Sequence, residues 1–330
     1  MPGGDLLVIL GPTATGKSEL ALRLARRLGG WIINADSIQV YRGLDAGSCK
    51  PSREARRLAR HELIDVADPA EPFSAGTFAR LAGEAIDACH AAGARPIVAG
   101  GTGLYLRALL HGIAPMPPRD EAVRAALYAR AAAGPVPALH RELAAIDPVS
   151  ASRIGPNDLQ RIVRALEVHA LTGRSLEHHI AASRFRPGRR PAVLIGLRMD
   201  KAALHRRIEA RVDRMFEAGL VQEVRGLLAS GVPASANALK ALGYREAAAH
   251  IRAEIGLDDA IRLVKRNTRR YARRQRAWFG KEAGVHWLDV PDEAGGGLRE
   301  LEERAAALLD GSGRGEAVAA RGGRWTTTIL

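Results

Sequence analysis

The sequence predicts an α/β fold in which a parallel sheet flanked by helices carries a helical insertion. Three observations predict it: short apolar runs alternate with amphipathic stretches, a glycine-rich loop joins the first run to the first helical stretch, and strand signals vanish between two proline-bearing segments.

Leu6-Leu7-Val8-Ile9-Leu10 is apolar at every position, as a parallel strand covered on both faces must be. It runs into Gly11-Pro12-Thr13-Ala14-Thr15-Gly16-Lys17-Ser18, a complete G-x-x-x-x-G-K-S pattern. Glu19 to Leu28 then sets leucines at 20, 24 and 28 on one helical stripe, which stops at Gly29-Gly30. With strand, loop and helix in register, the segment is a phosphate loop, and the expected fold is P-loop NTPase-like. Successive backbone N–H groups and the helix start surround an anion, Lys17 adds a positive charge, and the Ser18 hydroxyl can ligate Mg²⁺. The loop alone does not separate an ATPase, a kinase or a transferase that uses another diphosphate.

Trp31-Ile32-Ile33-Asn34 reads as a second strand, ending in Ala35-Asp36-Ser37. Placed beside the strand that feeds the loop, it sets Asp36 at the edge where open α/β sheets bind ligands. Leu63-Ile64-Asp65-Val66 and Pro96-Ile97-Val98-Ala99 are further strands, the latter entering Gly100-Gly101-Thr102-Gly103, and Val193 to Leu197 is a fifth. From Pro115-Met116-Pro117-Pro118 to Phe185-Arg186-Pro187-Gly188 the chain is alanine-rich and helical, with turns at Gly134-Pro135 and Gly155-Pro156. Helices resume through Ala202 to Leu228 and Leu257 to Phe279. The expected organisation is a discontinuous core of residues 1–115 and 189–310, an insertion of residues 116–188, and a Gly/Arg-rich disordered tail of residues 311–330.

A chain of 330 residues that is 47% hydrophobic can bury a real core, and 49 Lys and Arg against 36 Asp and Glu leave it at +13. Such an excess favours a polyanionic partner over a small acidic substrate, unless it reflects only an arginine-rich proteome. Cys49 and Cys89 lack the spacing of a disulfide framework or a zinc site. The first strand begins too early to leave room for a leader, and no apolar run is long enough to span a membrane. A soluble, cytoplasmic protein, monomeric by default, is expected.

The charge is clustered. Residues 261–281 hold nine Lys or Arg and no acid. On a helix, Arg262, Arg266, Arg269, Arg273 and Arg276 share one face, and Ile261, Val264, Thr268, Tyr271, Gln275 and Trp278 form the other. A helix docked by the second face offers a ladder of arginines to a phosphodiester backbone, or else to water. Asp36 has three readings: a Mg²⁺ or magnesium-water partner, a general base, or a turn former. Gly100 to Gly103 could be a site element or simply the turn that ends a strand. Asn157 to Glu167 places Arg161 and Arg164 one turn apart beside Gln160, a pattern equally met in an ordinary capped helix.

Together these segments resemble the tRNA dimethylallyltransferases, or tRNA isopentenyltransferases, of the bacterial type. The likeness rests on residues 11–18, Asp36 to Asp45, Lys50-Pro51, His61 to Asp65, Gly100 to Tyr105, Asn157 to Glu167, Gly243 to Glu246 and Thr268 to Phe279. Ser48, Cys49 and Ala277 depart mildly from the family pattern, and a zinc finger is missing. The resemblance implies transfer of a dimethylallyl group from dimethylallyl diphosphate to the exocyclic amine of the adenine 3′ of the anticodon, without ATP consumption. It implies Asp36 as general base with Thr102 at the same centre. It also implies diphosphate held by Gly11, Pro12, Thr13, Ala14, Thr15, Gly16, Lys17, Ser18 and Arg211, with Mg²⁺ on Ser18. Contacts to the tRNA anticodon stem-loop would come from Asp36, Ser37, Ile38, Gln39, Thr102, Arg124, Gln160, Arg161, Ile162, Val163 and Arg164, with the insertion closing over the anticodon loop, and the charge of the basic helix adds Arg269 and Arg273.

Overall fold

A computed structural model describes residues 6–183, 190–291 and 297–312. They form two compact units, one built from residues up to His111 and from Arg190 onward, the other from Gly112 to Arg189.

In the first unit β1 (Leu6–Leu10), β2 (Gly30–Asn34), β3 (His61–Glu62), β4 (Arg95–Ala99), β5 (Ala192–Arg198) and β6 (Val285–Asp289) make one six-stranded sheet in the order β3-β2-β4-β1-β5-β6. Every pairing is parallel, with Leu7 opposite Ile97 on one side and Val193 on the other. Helices α1 (Lys17–Leu28), α2 (Arg53–Leu58), α3 (Ala75–Ala91) and α4 (Gly103–His111) connect or follow the first four strands. The alternation of a strand explains the two cores. Leu7 and Ile9 pack with Leu20, Leu24 and Ile195 on one face, while Leu6, Val8 and Leu10 pack with Phe78, Leu109 and Phe279 on the other.

The second unit holds α5 (Glu121–Ala133), α6 (Val136–Ile146), α7 (Pro148–Arg153), α8 (Leu159–Thr172) and α9 (Leu176–Ser183). Its own core gathers Leu127, Leu139, Leu143, Ile162, Val163 and Leu166. The first unit resumes with α10 (Lys201–Glu217), α11 (Leu220–Ala229), α12 (Tyr244–Ile251) and α13 (Leu257–Phe279) between β5 and β6, and ends in α14 (Gly297–Ser312).

Three expectations change, and one strand goes unforeseen. β2 does not adjoin β1, because β4 lies between them; the first crossover skips a place that a later strand fills. The strand expected at Leu63 to Val66 is displaced to His61–Glu62, since Leu63 and Asp65 take positive φ of 60° and 59°, which ends an extended run. The long helix from Ala202 breaks at Gly219, φ 90°, which starts α11. Edge strand β6 goes unforeseen because its Val-His-Trp-Leu-Asp sequence mixes polar and apolar residues over only five positions. The tail beyond residue 312 lies outside the described residues. Among those described, no helix is long and apolar enough to cross a membrane.

Candidate active site

The phosphate loop leaves β1 at Gly11, φ 140°, where a Cβ would stand 2.6 Å from the Leu197 carbonyl oxygen. Only glycine turns there beside β5. Gly16, φ 91°, caps α1 with its left-handed backbone, so the loop's N–H groups and the helix start face one spot. Buried Thr15 braces the loop with an Oγ1 bond to Pro12 O at 2.9 Å, and Lys17 Nζ donates across it to the same oxygen at 2.6 Å. Burial first, then the charge of neighbouring Arg211, pushes the Lys17 ammonium down to a pKa of about 7 against the opposing pull of the Asp36 carboxylate. Arg211 comes from α10 and is held by the Ser48 carbonyl at 3.2 Å. It lines a pocket of about 390 Å³ with Asp45, Ala46, Cys49, Arg214, Met215 and Ala218.

Asp36 follows β2. Its Oδ1 accepts from the N–H of Ile38 at 2.8 Å and of Gln39 at 3.4 Å, so the turn-forming role is real. Among the described residues no hydrogen bond falls on Oδ2. The Thr102 hydroxyl accepts the Ser37 N–H at 3.0 Å, and Thr102 N–H donates to Ala35 O at 3.3 Å. These bonds lash the turn after β4 to the turn after β2. Gly100 is required at their crossing, since a Cβ would come within 2.2 Å of Ala35 O. Ser37 and Ile38 are half-buried, while Gln39 is buried and donates to the carbonyls of Ser48 and Cys49 at 3.1 and 3.3 Å.

Helix α13 closes the site from the other side. A Cβ on Gly101 would meet Gln275 Nε2 at 2.4 Å, and one on Gly103 would meet Trp278 Nε1 at 2.3 Å. The glycines of the turn therefore admit the helix, and the turn is more than a strand end. Gln275 donates to Gly101 O at 2.8 Å and accepts Thr13 N–H at 2.9 Å. The Tyr271 hydroxyl bonds Thr102 and Gln275; burial first, then the charge of Asp36, pushes its pKa up to about 12. Ala260, Val264, Thr268, Ala272, Gln275 and Phe279 form the buried seam, with Ile261, Tyr271 and Trp278 at its margin. Arg262, Arg266, Arg270, Arg273, Arg274 and Arg276 are exposed. The helix finds acids that its own stretch lacks: Arg269 pairs with Glu209 at 2.7 Å and Lys265 with Asp213 at 2.6 Å, both from α10.

In the second unit the Glu167 side chain is wholly buried and takes Arg164 at 2.8 Å, Arg124 at 3.2 Å and the Asp120 N–H at 2.8 Å. Arg124 and Arg164 thus brace the insertion. Ile162 and Val163 are fully buried, so their side chains offer nothing to RNA, and the expected contact falls to exposed Gln160 and half-exposed Arg161.

No group of three or more His, Cys, Asp or Glu among the described residues forms a metal cage. Mg²⁺ suits the donors present in another way. It holds several waters and substrate phosphate oxygens and needs few protein ligands, as exposed Ser18 at the start of α1 would give it, with Asp36 nearby for a bound water.

The chain matches the IPP transferase family model over residues 39–282 and the isopentenyl transferase model over residues 4–68. It is 52% identical over 304 residues to a tRNA dimethylallyltransferase of Anaeromyxobacter dehalogenans, covering 92% of this chain and 99% of that one. A relative of the same description from Geobacter metallireducens is 49% identical over 286 residues, covering 87% and 93%. Among solved structures, the full-length tRNA isopentenylpyrophosphate transferase of Bacillus halodurans superposes with a TM-score of 0.68 at 38% identity, over 94% of this chain and 98% of that one. A eukaryotic dimethylallyltransferase described as acting on tRNA gives 0.71 at 26% identity, over 87% and 74%. Phosphate loop, strand-end acid, threonine turn and basic helix thus meet in a chain that belongs to the IPP transferase family, the family of the tRNA dimethylallyltransferases.

Proposed function

We propose that the protein transfers a dimethylallyl group from dimethylallyl diphosphate to the N6 amine of the adenine 3′-adjacent to the anticodon of tRNA, releasing diphosphate. The observation that carries the assignment of roles is electrostatic: Lys17 of the phosphate loop feels both Arg211 and Asp36. This supports a reading in which diphosphate-holding cations and a carboxylate base act within reach of one another, as an alkyl transfer between a diphosphate and an amine requires.

The adenine leaves its stack to reach this site. Its N6 lone pair forms the bond to C1 of the donor as the C1–O bond breaks, and the electron pair departs with the diphosphate. The loop N–H groups, Lys17 and Arg211 stabilise the charge that develops there. Asp36 Oδ2 takes the N6 proton. Thr102, oriented by the Ser37 N–H and Tyr271, fixes the amine beside Asp36. Mg²⁺, when bound through Ser18, would offset diphosphate charge. Arg269 and Arg273, Ser37 to Gln39, and Gln160 to Arg164 with Arg124 on the insertion engage the anticodon stem-loop, directly or by supporting those that do. The protein acts as a cytoplasmic monomer.

Incubation with labelled dimethylallyl diphosphate and either tRNA or AMP tests the assignment. Label is expected in tRNA alone; label in AMP only, or ATP hydrolysis without prenylation, refutes it.

A further inference from the structure

Gln275 is a buried polar side chain on a helix whose other faces carry arginines, and both ends of its amide are engaged at the active site. The partners fix its orientation. Thr13 N–H can only donate, so Oε1 faces the phosphate loop; Gly101 O can only accept, so Nε2 faces the turn that bears Thr102. One planar amide therefore spans the gap between the diphosphate cradle and the acceptor side. The loop follows β1 and the turn follows β4; the last backbone rung between the two segments is Gly100 N–H to Ile9 O at 3.1 Å, and beyond it, among the described residues, the Gln275 amide is the hydrogen-bonded link from Thr13 to Gly101. Tyr271, four residues earlier on α13, adds its hydroxyl to both Gln275 and Thr102.

We infer that Gln275 is a positioning residue: it sets the distance between the phosphate loop and the Thr102 turn, and so the approach of the amine to C1 of the donor. The inference rests on the prenyl-transfer function proposed above. Misplacing two reactants by about 1 Å lowers a rate on the order of 100-fold while leaving each separate grip intact. A side chain needed only for folding would show no such split.

The test is steady-state kinetics of labelled dimethylallyl transfer to tRNA for the parent and Gln275→Met, which keeps the length and volume but neither bond. The expected outcome is a kcat lower by roughly 100-fold, with KM for tRNA within about threefold of the parent because the arginine face is untouched. An unchanged kcat, or a loss confined to KM, overturns the inference while the parent's activity leaves the function standing. A parent that transfers no label overturns the function itself. If Gln275→Met lowers the melting temperature enough to obscure the kinetics, Gly101→Ala decides on the same criteria, since its Cβ would press on Nε2 from the opposite side.

Discussion

Lys17 is predicted to lose its proton around neutral pH unless an anion binds. Desolvation, then the charge of Arg211, bring its pKa to about 7, against an ordinary lysine value near 10.4. At pH 8 about nine in ten side chains would be neutral, and at pH 6 about one in ten. A bound diphosphate favours the charged form and pulls the pKa back up, so binding takes up a proton wherever the free amine has lost it. Apparent diphosphate affinity should accordingly fall by about tenfold from pH 7 to 8 to 9 per unit, and flatten below pH 7. Competitive trace acylation reads this directly, because the chain has only six lysines and each is assignable by mass. Lys17 should acquire reactivity with a midpoint near 7, and Mg²⁺-diphosphate should move that midpoint upward. A Lys17 midpoint near 10, or one indifferent to diphosphate, refutes the desolvated cradle.

Three further outcomes are expected. Asp36→Asn keeps an Oδ1 acceptor for Ile38 N–H but not the base, so tRNA binding should persist while turnover falls on the order of 10² to 10⁴; an unchanged rate removes Asp36 from proton transfer. Arg273→Ala should lower the slope of log affinity for tRNA against log salt by about 1, and an unaltered slope after neutralising Arg269 as well counts against α13 as a phosphate contact. Glu167→Ala leaves two arginines around a buried void and should cost about 3–5 kcal/mol in thermal unfolding. Burial alone would raise the Glu167 pKa, but the Arg164 and Asp120 hydrogen bonds hold it below its ordinary value. Its contribution is therefore present above the unfolded-state value and should be lost as pH falls through the folded one.

What was legible in the sequence was local. The apolar run of β1, the spacing of the loop and the leucine stripe of α1 are each decided within a few residues, so their periods survive in the string. The order of strands was not, because adjacency of β4 to β1 and β2 is a choice among crossovers that no single segment records. The same limit hid the partners of charged groups. Asn157 to Glu167 reads equally as an RNA contact or a capped helix, and only folding shows that Glu167 gathers Arg124 from a helix 43 positions earlier. Family resemblance located Arg211, yet its influence on Lys17 depends on α10 packing Leu204, Ile208 and Val212 into the core shared with Leu7 and Ile9.

The basic helix tests how far charge alone can be read. Nine cations without an acid look like a surface awaiting a polyanion, but α10 partly neutralises them through Glu209 and Asp213, so the raw count overstates the free charge. The better support comes from the opposite face. A helix that merely carried solvated arginines would dock by an apolar seam, since a buried polar group is unfavourable unless its hydrogen bonds are met. Here Gln275 and Thr268 are buried, Tyr271 reaches Thr102, and glycines at 101 and 103 are needed to let the helix approach. Those features join the helix to the phosphate loop and the Thr102 turn, which docking alone does not require. The same helix thus presents cations outward and orders the loop and turn inward, an arrangement that favours a polyanionic substrate whose reacting base must be brought to that centre.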